Sequence, residues 1–533
     1  MGQERYQIVI VGAGLSGLTA AAYLSKHGYS VLVIDKTAAC GGLLNSFERE
    51  GFTFDAGARS IENAGIVKPM LKDLGIELEL LDSPVSIGFG SEILSIQEEE
   101  DLNDYIQLLT KIFPDEDKNI QKIYKKIKKV VKSMDVIYGF DNPIFKEDFT
   151  KDKKYLLQEI LPWFGKFIFA VMHMNRRTES IETYLRRFTS DQALIDLIDQ
   201  HFFKMTPSFF ALGYFYVYRD YLYPKGGTGK LAQSLTEKIK AQGAQILTET
   251  EIVSIDPKKN MILDDQHNEF HYDQLIWGAD LKTFYSLVDP KGIEDDQQVS
   301  FDDHKDWVNA SRGGDSIFSL YLGVDLPVEY FSRISNGHFF YTPLKDGLGE
   351  THKSKLTYLL AHFSEISKED IYEWTKTYCE LNTYEISIPS LRDSDLSPEG
   401  KTGLIASVLF EYDLVAKVDT AGWYDEFKHT VENQMISVLS DSIYPRLDQH
   451  IQFQFSSTPL SIKNIFGCSE GGITGWTYER PVPVIDKLPK IPRAVKTPFS
   501  NIYQVGQWAY SPAGIPTAIL TGWYAADQIR KIK

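Results

Sequence analysis

Gly12-Ala13-Gly14-Leu15-Ser16-Gly17 follows the apolar run 6–11 and opens a stretch of small residues, and a second apolar run, 30–34, delivers Asp35. That spacing suits recognition of a dinucleotide. Glycines let a strand turn tightly, bring backbone close to a pyrophosphate and allow a helix to pack near the strand, while the helix N-terminus faces the negative charge. An acid at the end of the second strand accepts hydrogen bonds from a ribose 2′-hydroxyl, which argues against a 2′-phosphorylated nucleotide. A bare glycine pattern also occurs in turns that hold no ligand, but here the strand before it, the helix after it and the acid beyond it outweigh that reading.

Two further segments bear on which dinucleotide is bound. Cys40-Gly41-Gly42-Leu43 is followed by Gly51-Phe52-Thr53-Phe54-Asp55-Ala56-Gly57-Ala58-Arg59-Ser60, a short alternating strand entering another glycine turn. Near the other end, residues 501–526 run from a strand through Gly506-Gln507-Trp508 and Gly514-Ile515-Pro516 into a small-residue helix whose N-terminus faces a second polar part of the cofactor.

With Tyr223-Pro224-Lys225-Gly226-Gly227 in the middle of the chain, these residues resemble the FAD-dependent oxidoreductases of the amine-oxidase clan, and within it the phytoene desaturase, carotenoid isomerase and retinol saturase family. The resemblance implies an α/β fold: a discontinuous Rossmann-type FAD-binding domain, a sheet-roofed substrate domain and a helical, membrane-docking subdomain. It implies FAD as cofactor, with Gly12, Ala13, Gly14, Ser16 and Gly17 at the pyrophosphate, and Asp35 with the adjoining Lys36 at the adenosine ribose. Gly42, Leu43, Arg59 and Ser60 would run along the ribityl chain and flavin, Ile252 would meet adenine through its backbone, and Gly506, Gln507, Gly514 and Ile515 would form the C-terminal flavin segment. Position 507 is commonly acidic in such proteins; the amide here still accepts a hydrogen bond from a ribityl hydroxyl. Arg59 reads either as a guanidinium beside the flavin or as a structural ion pair or phosphate clamp, with the structural reading ahead.

A chain of 533 residues is too long for one core, and at ~150 residues per domain it holds about two to four. The net charge of −17, with a single basic helix, argues against nucleic acid as a partner. Three cysteines, Cys40, Cys379 and Cys468, have neither metal-ligand spacing nor an even count, so no zinc site or disulfide scaffold is expected. The first strand begins almost at once, so no signal or transit peptide is expected and the compartment reads as cytoplasmic. The cofactor segments divide the chain into FAD-binding pieces at 1–94, 223–289 and 465–533, a helical substrate and membrane-docking subdomain at 95–222, and a substrate-binding domain at 290–464.

Within 95–222, Ile120, Ile123, Ile127, Val130 and Val131 recur at helical spacing among lysines, a pattern of either a solvated face or a basic helix lying on an anionic bilayer. Residues 155–174 are nearly long and apolar enough to span a membrane, but Glu159, Pro162 and Lys166 interrupt them, leaving a buried core helix or a monotopic element. The resemblance favours the monotopic element. Ten aromatic residues between Phe202 and Tyr223, phenols among them, read as core or as the lining of a long apolar tunnel.

A flavin takes or returns a hydride while the protein orients the substrate carbon and excludes water. No catalytic residue or second catalytic centre is assigned; His173, His201, Trp508 and Tyr510 are candidates by location alone. The leading expectation is FAD-dependent chemistry at carbon–carbon double bonds of an apolar polyene or lipid, with peripheral membrane contact. An amine or protoporphyrinogen-type oxidase and a non-catalytic prenyl-lipid carrier of the GDP-dissociation-inhibitor type are the alternatives.

Overall fold

The computed structural model describes residues 4–146, 150–289, 295–479 and 481–532. One sheet is centred on the strand Glu4–Val11, whose Ile8, Val9 and Ile10 are fully buried. Both faces are covered, which is why the sequence there is continuously apolar rather than alternating. In space the strands run Gln245–Leu247, Val31–Ile34, Glu4–Val11, Glu269–Trp277, Met261–Asp264 and Ile252–Asp256, with Ile502–Gln504 also pairing on Glu269–Trp277. The first four and the last of these are parallel, with Val11 opposite both Ile34 and Trp277, and Trp277 opposite Gln504. Three distant stretches of chain therefore build one doubly wound sheet.

Helix α1 (Leu15–Lys26) owes its position to small residues. A side chain on Gly17 would collide with the carbonyl of Gly12, and one on Gly522 with the carbonyl of Ser16. The C-terminal helix consequently crosses α1 at backbone distance.

A second sheet forms the roof, in the order Ile451–Ser457, Ser316–Val324, Thr402–Phe410, Tyr384–Ser387, His338–Thr342, Val85–Phe89 and Glu92–Ile96. Val85–Phe89 lies parallel to His338–Thr342, with Val85 opposite His338 and Phe89 opposite Thr342. The hairpin 85–96, which straddles the boundary expected at residue 94, pairs with the roof sheet.

Between these layers lies a helical region. Helix α2 (Asp117–Tyr138) buries Ile120, Ile123, Ile127, Val130, Val131 and Met134, while Lys118, Lys122, Lys125, Lys128, Lys129 and Lys132 are exposed. Helix α3 (Leu161–Asn175) continues without a break from residue 153 and packs along α2, and helix α4 (Ser208–Asp220) packs against α2 from within. The small strand Ile61–Glu62 pairs with Tyr221–Pro224, which also pairs with Leu80–Asp82, tying this region to the first glycine segments.

Candidate functional site

The turn after the first strand places Gly12 at φ +103°, a conformation that suits glycine, and a Cβ there would lie 2.9 Å from the Gly278 carbonyl carbon. The Ala13 N–H donates to Asp35 Oδ2 at 2.6 Å, and the Ala13 carbonyl accepts from Gly41 N–H at 2.8 Å. Asp35 Oδ1 accepts from the Thr37 N–H at 2.8 Å and the Thr37 hydroxyl at 2.6 Å. Three of a carboxylate's about four acceptor positions are thus filled by the chain itself, leaving one on Oδ2 for a ribose hydroxyl. Lys36 points across to Gly467, where an added Cβ would lie 2.9 Å from its Nζ.

The second and third glycine segments stack on the first. Gly42 approaches Gly14, the Ala58 N–H donates to the Leu43 carbonyl at 3.3 Å, and no room remains for a side chain on Gly57 beneath Leu43. Ile252 is buried at the start of its strand, and the segment before it is held by Thr250 N–H to the Asp35 carbonyl at 3.0 Å.

Two side chains at the third segment turn away from the dinucleotide turn and into the roof. Arg59 donates to the Asp55 carbonyl, to Ser319 Oγ at 3.2 Å and to Ser407 Oγ at 3.0 Å, while its Nε is buried without a partner. Ser60 Oγ meets Ser83 Oγ at 2.9 Å and His338 Nδ1 at 3.0 Å, and His338 Nε2 in turn meets Glu385 at 3.0 Å. Burial draws the His338 pKa down against the pull of Glu385, and contact with the imidazole helps hold Glu385 below its ordinary value despite its burial. The Arg59 guanidinium is therefore a bolt between the layers, and its carbonyl accepts from Arg392 Nη1 at 2.7 Å.

Helix α5 (Ile515–Arg530) begins at Gly514 with no side chain capping its N-terminus, as α1 begins uncapped at Gly14. Gly506, at φ +90°, lies against Ser16, so that a Cβ there would sit 2.7 Å from Ser16 Oγ; its N–H donates to Thr521 Oγ1 at 2.9 Å. Gln507 Nε2 contacts Cys468 Sγ at 3.7 Å, which leaves the amide oxygen as an acceptor. Ile515 is half-buried in the first turn of α5. A Cβ on Gly14 would meet nothing within 4 Å. Open space at that turn and two uncapped helix N-termini together fit an extended anionic cofactor.

Beside the α5 N-terminus lies a mostly apolar cavity of about 100 Å³. Met134, Ile137 and Tyr138 of α2, Met174 of α3, Phe209, Phe210, Tyr214 and Val217 of α4, and Tyr510, Pro512, Ala513 and Gly514 form most of its wall. The aromatic run expected to be core or tunnel is in part each: Phe215 and Tyr218 are buried in the helical core, Tyr223 is buried where it donates to Asp55, and Tyr214 faces the cavity. His201 also contributes to the wall, but both of its ring nitrogens are buried without partners and burial pulls its pKa down to about 4. His173 lies outside the wall, bonded through Nδ1 to Ser133 Oγ at 2.8 Å. Trp508 packs edge-on against Trp476 and is buried.

Sequence reasoning passed over two acids. Asp55 is fully buried and accepts from Ser46 Oγ, Tyr223 OH and Thr228 N–H, each at 2.8 Å, and from Thr228 Oγ1 at 2.9 Å, joining the glycine segment to the middle of the chain. Glu62 enters the cavity, where burial, reinforced by the charge of Asp220, pushes its pKa up to about 7. Its signal was an acid set between the glycine turn and an otherwise apolar strand pairing.

The candidate site thus combines a doubly wound dinucleotide sheet, a roof sheet and an apolar cavity between the helical region and the Tyr510–Gly514 loop. Residues 10–74 match the NAD(P)-binding Rossmann-like domain. Over 99% of its length the chain is 24% identical to the chloroplastic prolycopene isomerase of Daucus carota, covering 81% of that protein. It is 22% identical to the 4,4'-diapophytoene desaturase of Staphylococcus aureus strain COL, covering 98% of this chain and 99% of that one. A solved putrescine oxidase variant superposes over the full length of both chains with a TM-score of 0.61 at 13% identity. Along nearly its whole length the chain is thus similar in sequence to a prolycopene isomerase and a 4,4'-diapophytoene desaturase, and in fold to a putrescine oxidase.

Proposed function

We propose that the chain binds FAD and acts on carbon–carbon double bonds of an elongated apolar polyene or lipid. The observation that carries this reading is the lining of the cavity, whose wall includes both the Tyr510–Gly514 loop at the start of α5 and Met174 at the end of α3. When bound, the flavin supplies hydride acceptance or donation. The chain's own residues do the rest. Gly12, Ala13, Gly14, Ser16 and Gly17 receive the pyrophosphate, Asp35 accepts from the ribose, and Gly42, Leu43, the backbone of Arg59 and Ser60, Gly506, Gln507, Gly514 and Ile515 border the flavin. The aromatic wall aligns an apolar chain and excludes water, which holds a reacting carbon in place and prevents side reactions.

The helix 153–175 supports a route for such a substrate. Leu157, Leu161, Phe164, Ile168 and Met172 form one stripe at helical spacing, and Phe169 beside them is 74% exposed. The opposite side is pinned by Trp163, which donates to the Val136 carbonyl at 2.8 Å and stacks on Phe140. An exposed apolar stripe beside the lysine-bearing α2 fits a helix lying in a lipid surface and delivering substrate towards Met174. Peripheral association of a cytoplasmic enzyme is the corresponding localisation.

One observation favours an amine oxidase instead: the carboxyl of Glu62 in the cavity is a partner for a cationic nitrogen. The two readings separate in one assay. Anaerobic incubation with a mixed cis/trans polyene in liposomes should change polyene mass or geometry, whereas peroxide formation from amines in air with no polyene conversion would overturn the proposal.

A further inference from the structure

Glu62 stands opposite Tyr221 in a two-strand pairing and reaches into the cavity. Apart from its own backbone N–H, no described residue donates a hydrogen bond to its carboxyl. The titratable groups around it come from every neighbouring element: Asp220 at the end of α4, Tyr214 on α4, Tyr221 across the strand, Tyr138 on α2 with Tyr510 beside it, and Tyr478. Burial pushes Tyr138, Tyr214, Tyr221 and Tyr478 well above the ordinary phenol value, so they are neutral, and burial holds Asp220 up to about 6. Among the described residues the cavity wall includes no Lys or Arg. A carboxyl is ordinarily placed in such a setting with a partner, since an unpaired charge is costly there.

We propose that Glu62 is the proton-exchanging residue that accompanies hydride transfer in this cavity, an inference that rests on the FAD and polyene reading above. Moving two hydrogens at adjacent carbons needs two acceptors. In the desaturating direction one C–H bond breaks with its electron pair leaving as hydride to the flavin. The neighbouring C–H pair closes the double bond, and its proton passes to a carboxylate oxygen of Glu62. In the saturating direction the Glu62 acid donates the proton as the carbon chain gains hydride. The other cavity groups are poorly suited to this proton transfer, because the phenols are too weakly acidic and the nitrogens of His201 are sealed. A carboxyl poised near neutrality serves in both directions, and the surrounding phenols bring no compensating charge.

Glu62→Gln keeps the shape and removes the titration. The expected result is unchanged FAD content and polyene binding, a kcat lower by about 100-fold or more, and partial recovery in Glu62→Asp. The wild-type pH profile should bend near 7, upward with pH for desaturation or downward for saturation, and the bend should vanish in Glu62→Gln. Without substrate, infrared titration of the protein should show a protonated carboxyl band that disappears near pH 7 and is missing from the variant. A Glu62→Gln enzyme with wild-type kcat and pH profile, or an infrared titration identical in the two proteins, would overturn this role. Wild-type protein that holds FAD yet converts no polyene in either flavin redox state would instead overturn the functional reading on which the role rests.

Discussion

Asp55 and Glu62 flank the same glycine turn and are treated in opposite ways. Asp55 receives four hydrogen bonds from three residues in two segments of the chain, Ser46 and the stretch from Tyr223 to Thr228. Glu62 faces the cavity and receives none from any other described residue. The difference extends to whole regions. In the dinucleotide layer, acids such as Asp35, Asp264 and Asp280 are tied to backbone N–H groups, so their charge fixes loops in place. At the cavity, burial raises the pKa of Glu62 to about 7, and nearby that of Asp220, which also accepts from the Ala64 N–H at 2.6 Å, to about 6. The dinucleotide layer uses carboxylates as structural anchors, while burial beside an apolar space favours the neutral form of Glu62.

The largest test of this contrast is Asp55→Ala. It strands buried donors of Tyr223, Thr228 and Ser46, so unfolding in urea should show a loss of about 4 kcal/mol, and a loss below about 1 kcal/mol would remove Asp55 from its anchoring role. Glu62→Gln should act the other way. Because the folded pKa lies above the ordinary 4.5, the native state is favoured below about 4.5 and loses that advantage as pH rises through about 7. The variant should therefore be about 3 kcal/mol more stable than wild type at pH 8 and no different at pH 4, read from denaturation midpoints at the two pH values. Equal stability at pH 8 would mean that the carboxyl is well solvated.

Asp35→Ala removes one remaining acceptor at the ribose and should weaken FAD retention by about 10-fold with the fold intact, as measured by flavin content after dialysis. Phe169→Glu should have the smallest effect on stability, within about 0.5 kcal/mol, because the side chain is exposed. It should nevertheless abolish flotation with anionic liposomes, and undiminished flotation would remove the α3 stripe from the lipid contact.

The dinucleotide layer was legible in the sequence because its chemistry is carried by the backbone. A glycine at Gly12 or Gly17 and an acid at Asp35 are demanded by close approach and by an N–H to satisfy, so residue type and spacing give the geometry directly. The cavity is different. Its wall is assembled from α2, α3, α4 and the loop before α5, whose mutual placement depends on long-range packing, and an aromatic in that set reads the same whether it faces core or void. Tyr218 and Tyr214 occupy one helix, yet the first is core and the second lines the cavity. Glu62 was missed for the same reason, since nothing local tells whether an acid beside a glycine turn meets water, a backbone N–H or an empty apolar space. The pairing of the hairpin 85–96 with the roof was not legible, because strand pattern does not name a partner.

The central claim is that the cavity beside the α5 N-terminus is where an apolar polyene meets the flavin, and photolabelling with a diazirine-bearing polyene, mapped by peptide mass spectrometry, tests it most directly. The account predicts labels on cavity residues such as Met134, Phe209 and Tyr214 and on the loop at Ala513, all suppressed by excess unlabelled polyene. Competable labelling confined to residues outside that wall would contradict it.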